Sequence, residues 1–160
     1  SRNKAPTNAG LNLERRGCRE VALEKMPDCL VYLVKSLRLN ALIVDAKRLV
    51  GNNCLINGTM IFCMSPVQIG DNCMFGPGSK VVDNDSHRTS IDVATRRLPP
   101  ETLPIVIHDN VWVGMNALIL KGVEIGCNSV VAAHSVVTKD VPANVLVAGN
   151  PAKVIKTLTE

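Results

Sequence analysis

A six-residue period dominates the second half of this chain. An apolar β-branched residue recurs at every sixth position, at Ile107, Val113, Ile119, Ile125, Val131 and Val137. A small or β-branched residue stands four places after each of them, at Val111, Ala117, Val123, Ser129, Ser135 and Val141. This period matches neither the helical repeat of about 3.6 residues nor the two-residue alternation of a strand. It predicts a solenoid whose chain turns a corner every six residues.

The same period extends toward the N-terminus. Inward positions are predicted at Val50, Ile56 and Phe62 and, after one extra residue, at Ile69, Phe75 and Val81. Glycine follows several of them, as in Val50-Gly51 and Ile69-Gly70, and asparagine or aspartate often comes next. Such residues tolerate the positive φ of tight turns. Each hexapeptide is therefore predicted to form a short strand and a corner, and three hexapeptides one triangular coil of a mainly β, parallel β-helix.

The remaining segments set the predicted organisation of one domain over residues 1–160. Residues 1–42 form a polar arm followed by short helices divided near Pro27, residues 43–148 form the β-helix, and residues 149–160 form a C-terminal cap and basic tail. Residues 83–104 interrupt the repeat with charges and Pro99-Pro100. Long irregular loops inside compact repeats are usually functional, so chemistry is expected there.

Composition excludes several classes of function. Apolar residues make up 46% of the chain but aromatic residues only 2%, which suits thin aliphatic layers. The net charge of +4 comes from scattered basic residues, and without aromatic stacking material no nucleic-acid partner is expected. The six cysteines include no CxxC pair, so a zinc site of that type is unsupported. No secretory signal or membrane span is visible, so a cytoplasmic location is expected.

The motifs in residues 69–156 resemble those of the hexapeptide-repeat acyltransferases with a left-handed β-helix, and most closely the sugar and xenobiotic O-acetyltransferases of the galactoside, maltose and streptogramin type. The resemblance implies a left-handed coil, acetyl-CoA as co-substrate, no metal, and a homotrimer with active sites between subunits. It rests on Ile69-Gly70-Asp71-Asn72, on His87, and on the stretches 109–114, 136–142 and 149–155.

His87 lies where the coil opens into the loop, within Asp83-Asn84-Asp85-Ser86-His87-Arg88. An imidazole of near-neutral pKa can take the proton of an acceptor hydroxyl as that hydroxyl attacks a thioester. His87 matches the position of the family's catalytic base, and Asp85 is predicted to orient its ring. His108 is expected to be solvated and His134 to occupy a corner.

Further residues are assigned by the resemblance. Trp112 should face outward, because Val111 and Val113 take the inward positions, and the family suggests contact with the pantetheine arm or the acceptor. Gly114 is expected to serve a turn, and a backbone N–H near it to stabilise the oxyanion. The resemblance places Ala133, Thr138 and Lys139 along the coenzyme A channel, and Lys153 and Lys156 near its nucleotide end.

The acceptor site departs from the galactoside enzymes. The stretch Phe62–Pro66 lacks the carboxylate that helps to hold the sugar there. Asn57 keeps a polar contact, and Asp83 or Asp85 could supply the missing acid from the loop.

These assignments predict an acetyl-CoA-dependent O-acetyltransferase that acts on a sugar or a saccharide precursor of a surface polysaccharide. Acetylation of an amino sugar or of a xenobiotic is the alternative within the class. A non-catalytic β-helix scaffold is less consistent with His87, Trp112 and Thr138-Lys139 occurring together. A zinc enzyme like the γ-carbonic anhydrases is disfavoured, because the three histidines are 21 and 26 residues apart.

Overall fold

A computed structural model describes residues 48–159 of the chain. The polar arm and helices predicted over residues 1–42, and the start of the β-helix at residue 43, lie outside the described residues. The strands are β1 (Arg48–Val50), β2 (Leu55–Ile56), β3 (Met60–Phe62), β4 (Val67–Ile69), β5 (Met74–Phe75), β6 (Lys80–Val82), β7 (Ile105–Ile107), β8 (Trp112–Val113), β9 (Leu118–Ile119), β10 (Glu124–Ile125), β11 (Val130–Val131), β12 (Val136–Val137), β13 (Val145–Gly149) and β14 (Ala152–Thr157), with helix α1 (Val93–Arg96) between β6 and β7.

Three sheets form the walls of a triangular prism. The first has the order β1-β4-β7-β10, the second β14-β13-β11-β8-β5-β2, and the third β12-β9-β6-β3. Pairing is parallel along each wall except between β13 and β14, and in the regular part Ile107 pairs with Ile125, Val113 with Val131 and Ile119 with Val137. Each pair is separated by 18 residues, which is three hexapeptides. The predicted parallel β-helix is confirmed.

The prism has three corners between its walls. The first corner joins the first sheet to the second, the second corner joins the second sheet to the third, and the third corner leads from the third sheet to the next coil. The inward aliphatic side chains stack along the axis and form one buried core. Burial of such chains contributes about 1.5–3 kcal/mol each.

The predicted frame is wrong at Phe62. Ile61 takes the inward position with 1% of its surface exposed and pairs with Val81, whereas Phe62 is half-buried and pairs with Val82. The step from Ile56 to Ile61 is thus five residues long. The shortened hexapeptide lies at the second corner of the first described coil, where Thr59 and Ser79 share a buried hydrogen bond of 2.9 Å.

Two cysteines occupy the small-residue position of neighbouring coils at the first corner. Cys73 is fully buried and Cys54 half-buried, and their thiols donate to the carbonyl oxygens of His108 and Gly70 respectively, each at 3.1 Å. The neighbouring Cys73 thiol can stabilise a Cys54 thiolate. This contact lowers the pKa of Cys54 to about 7 and raises the pKa of Cys73.

The basic tail predicted within residues 149–160 forms strand β14 (Ala152–Thr157). β13 joins the second sheet beside β11, and the chain then turns through a cis Asn150–Pro151 bond. β14 returns antiparallel to β13 and forms the edge of that sheet. Residues 152–157, which include Lys153 and Lys156, are thereby held on the second wall of the prism.

The loop of residues 83–104 leaves the prism at the third corner. Its two ends pair with each other: the Leu103 N–H donates to the Asp83 carbonyl at 3.0 Å, and Asn84 bridges to Thr102. α1 is a single turn, capped by an Asp92 carboxylate that accepts from the Thr95 N–H at 2.7 Å. Within residues 48–159, no helix has the length and apolar character needed to cross a membrane.

Candidate active site

The loop of residues 83–104 and the third corner together enclose an open cavity of about 400 Å³. Five of its lining residues come from the loop, and the sixth, Lys121, comes from the coil just after β9. The lining consists of Asp85, His87, Arg88, Thr89, Glu101 and Lys121. The interruption of the repeat therefore creates a polar pocket against an otherwise regular prism.

His87 is exposed in this cavity and held by a backbone group. Its Nδ1 lies 3.2 Å from the carbonyl oxygen of Arg96, the last residue of α1. A carbonyl oxygen only accepts, so this contact assigns the proton to Nδ1 and leaves the Nε2 lone pair available as a base. The Arg96 contact was not predicted, because a backbone carbonyl carries no signature in the residue pattern.

The prediction that Asp85 orients His87 is wrong. The Asp85 carboxylate instead accepts from Nζ of Lys121 at 2.7 Å, and Glu101 accepts from the same ammonium at 3.2 Å. These two contacts, Asp85 first, raise the pKa of Lys121. Lys121 was not predicted as a site residue. It ties one carboxylate near each end of the loop to the coil and so fixes the shape of the cavity.

The prediction that Asp83 contacts the acceptor is also wrong. Its side chain is fully buried, and its carboxylate accepts from the N–H of Met64 at 2.7 Å, from the N–H of Ser65, and from Nδ2 of Asn84 at 2.7 Å. A buried carboxylate needs such donors. Asp83 therefore stabilises the base of the loop and is unavailable to a ligand.

Gly114 has a packing role. A Cβ atom at this position would lie 2.6 Å from the backbone nitrogen of Ala133 and 2.8 Å from the Val131 carbonyl oxygen. The Gly114 N–H already donates to that carbonyl at 2.8 Å, so this N–H is not free to bind an oxyanion, and a donor near Gly114 stays a prediction. The positive φ angles of the corners belong mainly to asparagines, such as Asn110 and Asn116, and not to the glycine that follows each inward residue.

The three histidines occupy three different corners. His87 lies at the third, while His134 is exposed at the second with a φ of 59°. His108, at the first, is only 4% exposed, with Nε2 2.9 Å from Oε1 of Glu124, so the prediction that it is solvated is wrong. In the part of the chain that the structure describes, no group of three or more His, Cys, Asp or Glu side chains could hold a metal ion.

The other predicted residues fall into two groups. Thr138 and Lys139 are exposed at the third corner, one coil away from Lys121. Asn57, Gly114 and Ala133 lie at the second corner, and the remaining three project from the second sheet: Trp112, Lys153 and Lys156. Trp112 is 51% exposed, which confirms its outward orientation. The third sheet separates the two groups within one chain.

Comparisons with known proteins place the repeat in a family. Residues 104–139 match the bacterial transferase hexapeptide model (six repeats), and residues 66–81 match the hexapeptide repeat of succinyl-transferase. A curated relative, the 2,3,4,5-tetrahydropyridine-2,6-dicarboxylate N-acetyltransferase of Clostridium perfringens, is 60% identical over 62 residues, which is 39% of this chain and 26% of that protein. The chain thus spans about a quarter of the length of such curated relatives.

Solved structures match over most of the chain. A hexapeptide-repeat acetyltransferase from Vibrio cholerae O1 biovar eltor, complexed with acetyl-CoA, is 34% identical with a TM-score of 0.65, over 76% of this chain and 70% of that one. A maltose O-acetyltransferase from Clostridium difficile 630 is 32% identical with a TM-score of 0.65, over 79% and 68%. A galactoside acetyltransferase was solved with coenzyme A and is 36% identical with a TM-score of 0.65, over 70% and 56%.

These similarities confirm two predictions from the sequence, the hexapeptide-repeat acyltransferase family and the left-handed coil. The two matched stretches, residues 66–81 and 104–139, are the regular repeat on either side of the loop. The chain belongs to the hexapeptide-repeat acetyltransferases with a left-handed β-helix.

Proposed function

We propose that this chain is an acetyl-CoA-dependent O-acetyltransferase that modifies a hydroxyl of a sugar or saccharide precursor, with His87 as general base. The observation that carries the proposal is the contact of His87 Nδ1 with the Arg96 carbonyl. It holds the imidazole in the tautomer whose Nε2 can accept a proton, at the edge of a cavity large enough for a small acceptor.

The proton transfers of the proposed reaction all pass through His87. Acetyl-CoA supplies the acetyl group as a thioester. His87 Nε2 accepts the hydroxyl proton while the acceptor oxygen forms its bond to the acetyl carbon, and it returns that proton to the sulfur as the carbon–sulfur bond breaks. The Arg96 carbonyl stabilises the imidazolium between these two transfers. No other catalytic base is required.

The surroundings of the site fit coenzyme A. The exposed indole of Trp112 has an apolar ring and a polar N–H. The methylene and amide groups of a pantetheine arm can contact both. Lys139, Lys153 and Lys156 are exposed and can pair with phosphate groups, as lysine commonly does. Gly114 is left out of the proposed coenzyme A channel, because its role is to let neighbouring coils approach closely. The channel residues that we propose are Trp112, Ala133, Thr138, Lys139, Lys153 and Lys156.

We also propose that the enzyme is a homotrimer whose active sites lie between subunits. His87 and the residues of the second corner stand on opposite edges of the third sheet, so one chain does not bring them together. The outward side chains of Leu55, Met74 and Trp112 are in register and half exposed on the second sheet. An apolar row of this kind suits a subunit contact. The loop of one copy would then meet the second sheet of its neighbour.

The acceptor atom is tested by a panel of methyl glycosides and amino sugars incubated with acetyl-CoA. We expect thiol release that depends on a sugar hydroxyl, and a product that gains one acetyl group by mass. Hydroxylamine should remove that group, because it cleaves esters but not amides. A hydroxylamine-resistant product would establish the N-acetyltransferase alternative, which the name of the Clostridium perfringens relative favours. If the product is an O-acetylated sugar, we propose that the enzyme makes it in the cytoplasm for the synthesis of a surface polysaccharide.

The shared site is tested by mixing two inactive chains. His87→Ala and Ala133→Glu homotrimers should both be inactive, the second because a charged side chain blocks the channel. Chains refolded or co-expressed at equal amounts should recover roughly a quarter of wild-type activity, because random cyclic mixing leaves that share of sites with both residues intact.

A matched control pairs His87→Ala with the double variant His87→Ala/Ala133→Glu, which cannot form an intact site. If the first mixture is no more active than this control, the two residues belong to separate sites or to a site within one chain.

A further inference from the structure

The cavity beside His87 contains one guanidinium that no described carboxylate pairs with. Both of its carboxylates, on Asp85 and Glu101, are bound to Lys121. Arg88 lines the same cavity, and within residues 48–159 no carboxylate lies within ion-pair distance of its guanidinium. The cavity therefore offers a positive charge that the described part of the protein does not neutralise.

A backbone contact fixes the orientation of this guanidinium. Arg88 Nε donates to the carbonyl oxygen of Pro99 at 2.9 Å, across the loop. The described residues make no hydrogen bond to its two terminal nitrogens. The planar fork of these nitrogens matches two oxygens of a carboxylate or a phosphate, which gives geometric selectivity as well as charge.

We propose that Arg88 determines acceptor specificity by binding an anionic group, a carboxylate or a phosphate, on the sugar that His87 deprotonates. This inference rests on the proposed function, because it assigns the cavity to the acceptor. Arg88 directly follows His87 in the chain, and both side chains line the cavity. Lys121 does not share this role, since two protein carboxylates already bind its ammonium.

The test compares galactosides that differ only at C6, where they carry a neutral hydroxymethyl group, a carboxylate or a phosphate. Methyl galactopyranoside, the methyl glycoside of galacturonic acid with its carboxylate free, and methyl galactopyranoside 6-phosphate are titrated by calorimetry into the His87→Asn protein, so that binding is measured without turnover. We expect at least one anionic sugar to bind at least about tenfold more tightly than the neutral one, because a hydrogen bond between two charged groups contributes enough binding free energy for such a change. The anionic sugar with the lower Kd shows whether the site prefers a carboxylate or a phosphate.

Substitutions distinguish bidentate binding by the Arg88 guanidinium from a nonspecific effect of positive charge. Arg88→Gln should abolish the preference for the anionic sugar, and Arg88→Lys should keep only part of it, because a lysine retains the charge but loses the bidentate geometry. Arg97→Gln is the matched control, since Arg97 is exposed in the same loop and does not line the cavity.

The outcomes distinguish this inference from the proposed function. Equal binding of neutral and anionic sugars, or equal effects of Arg88→Gln and Arg97→Gln, overturns the role of Arg88 whatever the enzyme's activity. Arg88-dependent binding without acetyl transfer to the bound sugar by the wild-type protein supports the anion site and overturns the proposed reaction.

Discussion

Replacing His87 with alanine is expected to lower the kcat for acetyl transfer by about 10²- to 10⁴-fold, the range typical of a lost general base. The Nδ1–H contact with the Arg96 carbonyl leaves Nε2 as the free basic atom of the exposed ring. Without this imidazole, the acceptor hydroxyl must lose its proton to water as its oxygen attacks the thioester. The measurement is initial-rate thiol release at saturating acetyl-CoA, combined with calorimetric binding of coenzyme A.

Coenzyme A affinity is the control for this result. The proposed channel residues lie at the second corner, on the second sheet and at the tip of the third corner, so His87→Ala should leave the Kd for coenzyme A within about twofold of the wild type. His87→Asn preserves the shape of the side chain and should be equally inactive. Retention of more than a tenth of the wild-type kcat by both variants would contradict the role of His87 as general base.

The architecture could be read from the sequence because it depends on a local repeat. Six-residue spacing of Ile107, Val113 and Ile119 specifies where the chain turns, and stacking of identical positions follows directly. The error at Phe62 shows the limit of such spacing. Ile61 and Phe62 are both apolar, and only the pairing of Ile61 with Val81 in the next coil decides which of them points inward.

The site was predicted less completely, for reasons that lie in long-range contacts. His87 could be found because the repeat fails around it. Asp83 and Asp85 look equivalent in the sequence, yet Asp83 is buried by backbone donors from Met64 and Ser65 in the preceding coil, whereas Asp85 reaches Lys121. Contacts that join an irregular loop to coil residues 18 to 36 positions away follow from no local pattern.

Gly114 serves the turn as predicted, because its carbonyl accepts from the Ala117 N–H at 3.3 Å, but it does not supply the positive φ of that turn. Glycine serves two needs in a corner, positive φ and close approach of backbones, and the sequence does not distinguish them. In the structure, asparagines such as Asn116 take the positive φ, and Gly114 provides the space that the next coil requires. Its contribution to stability is therefore steric.

Gly114→Ala is expected to reduce the free energy of unfolding by about 3 kcal/mol, at the upper end of the cost of overpacking. The added Cβ would lie 2.6 Å from the Ala133 nitrogen and 2.8 Å from the Val131 carbonyl oxygen. Both atoms are backbone, so no side-chain rotation relieves the overlap. The coils must separate, which also stretches the hydrogen bond from the Gly114 N–H to Val131. Urea denaturation at fixed protein concentration measures the effect.

Gly58→Ala separates this steric cost from backbone strain. Gly58 lies at the same corner with a φ of +59°, and a Cβ there would meet nothing closer than 4.0 Å. Its substitution should cost only about 1 kcal/mol, the penalty for an alanine in the left-handed region. Losses of equal size at Gly58 and Gly114 would show that coil spacing at Gly114 adjusts freely. A larger loss at Gly114 would instead show that a rigid contact between backbones sets the distance between coils at the second corner, where Ala133 lines the proposed channel.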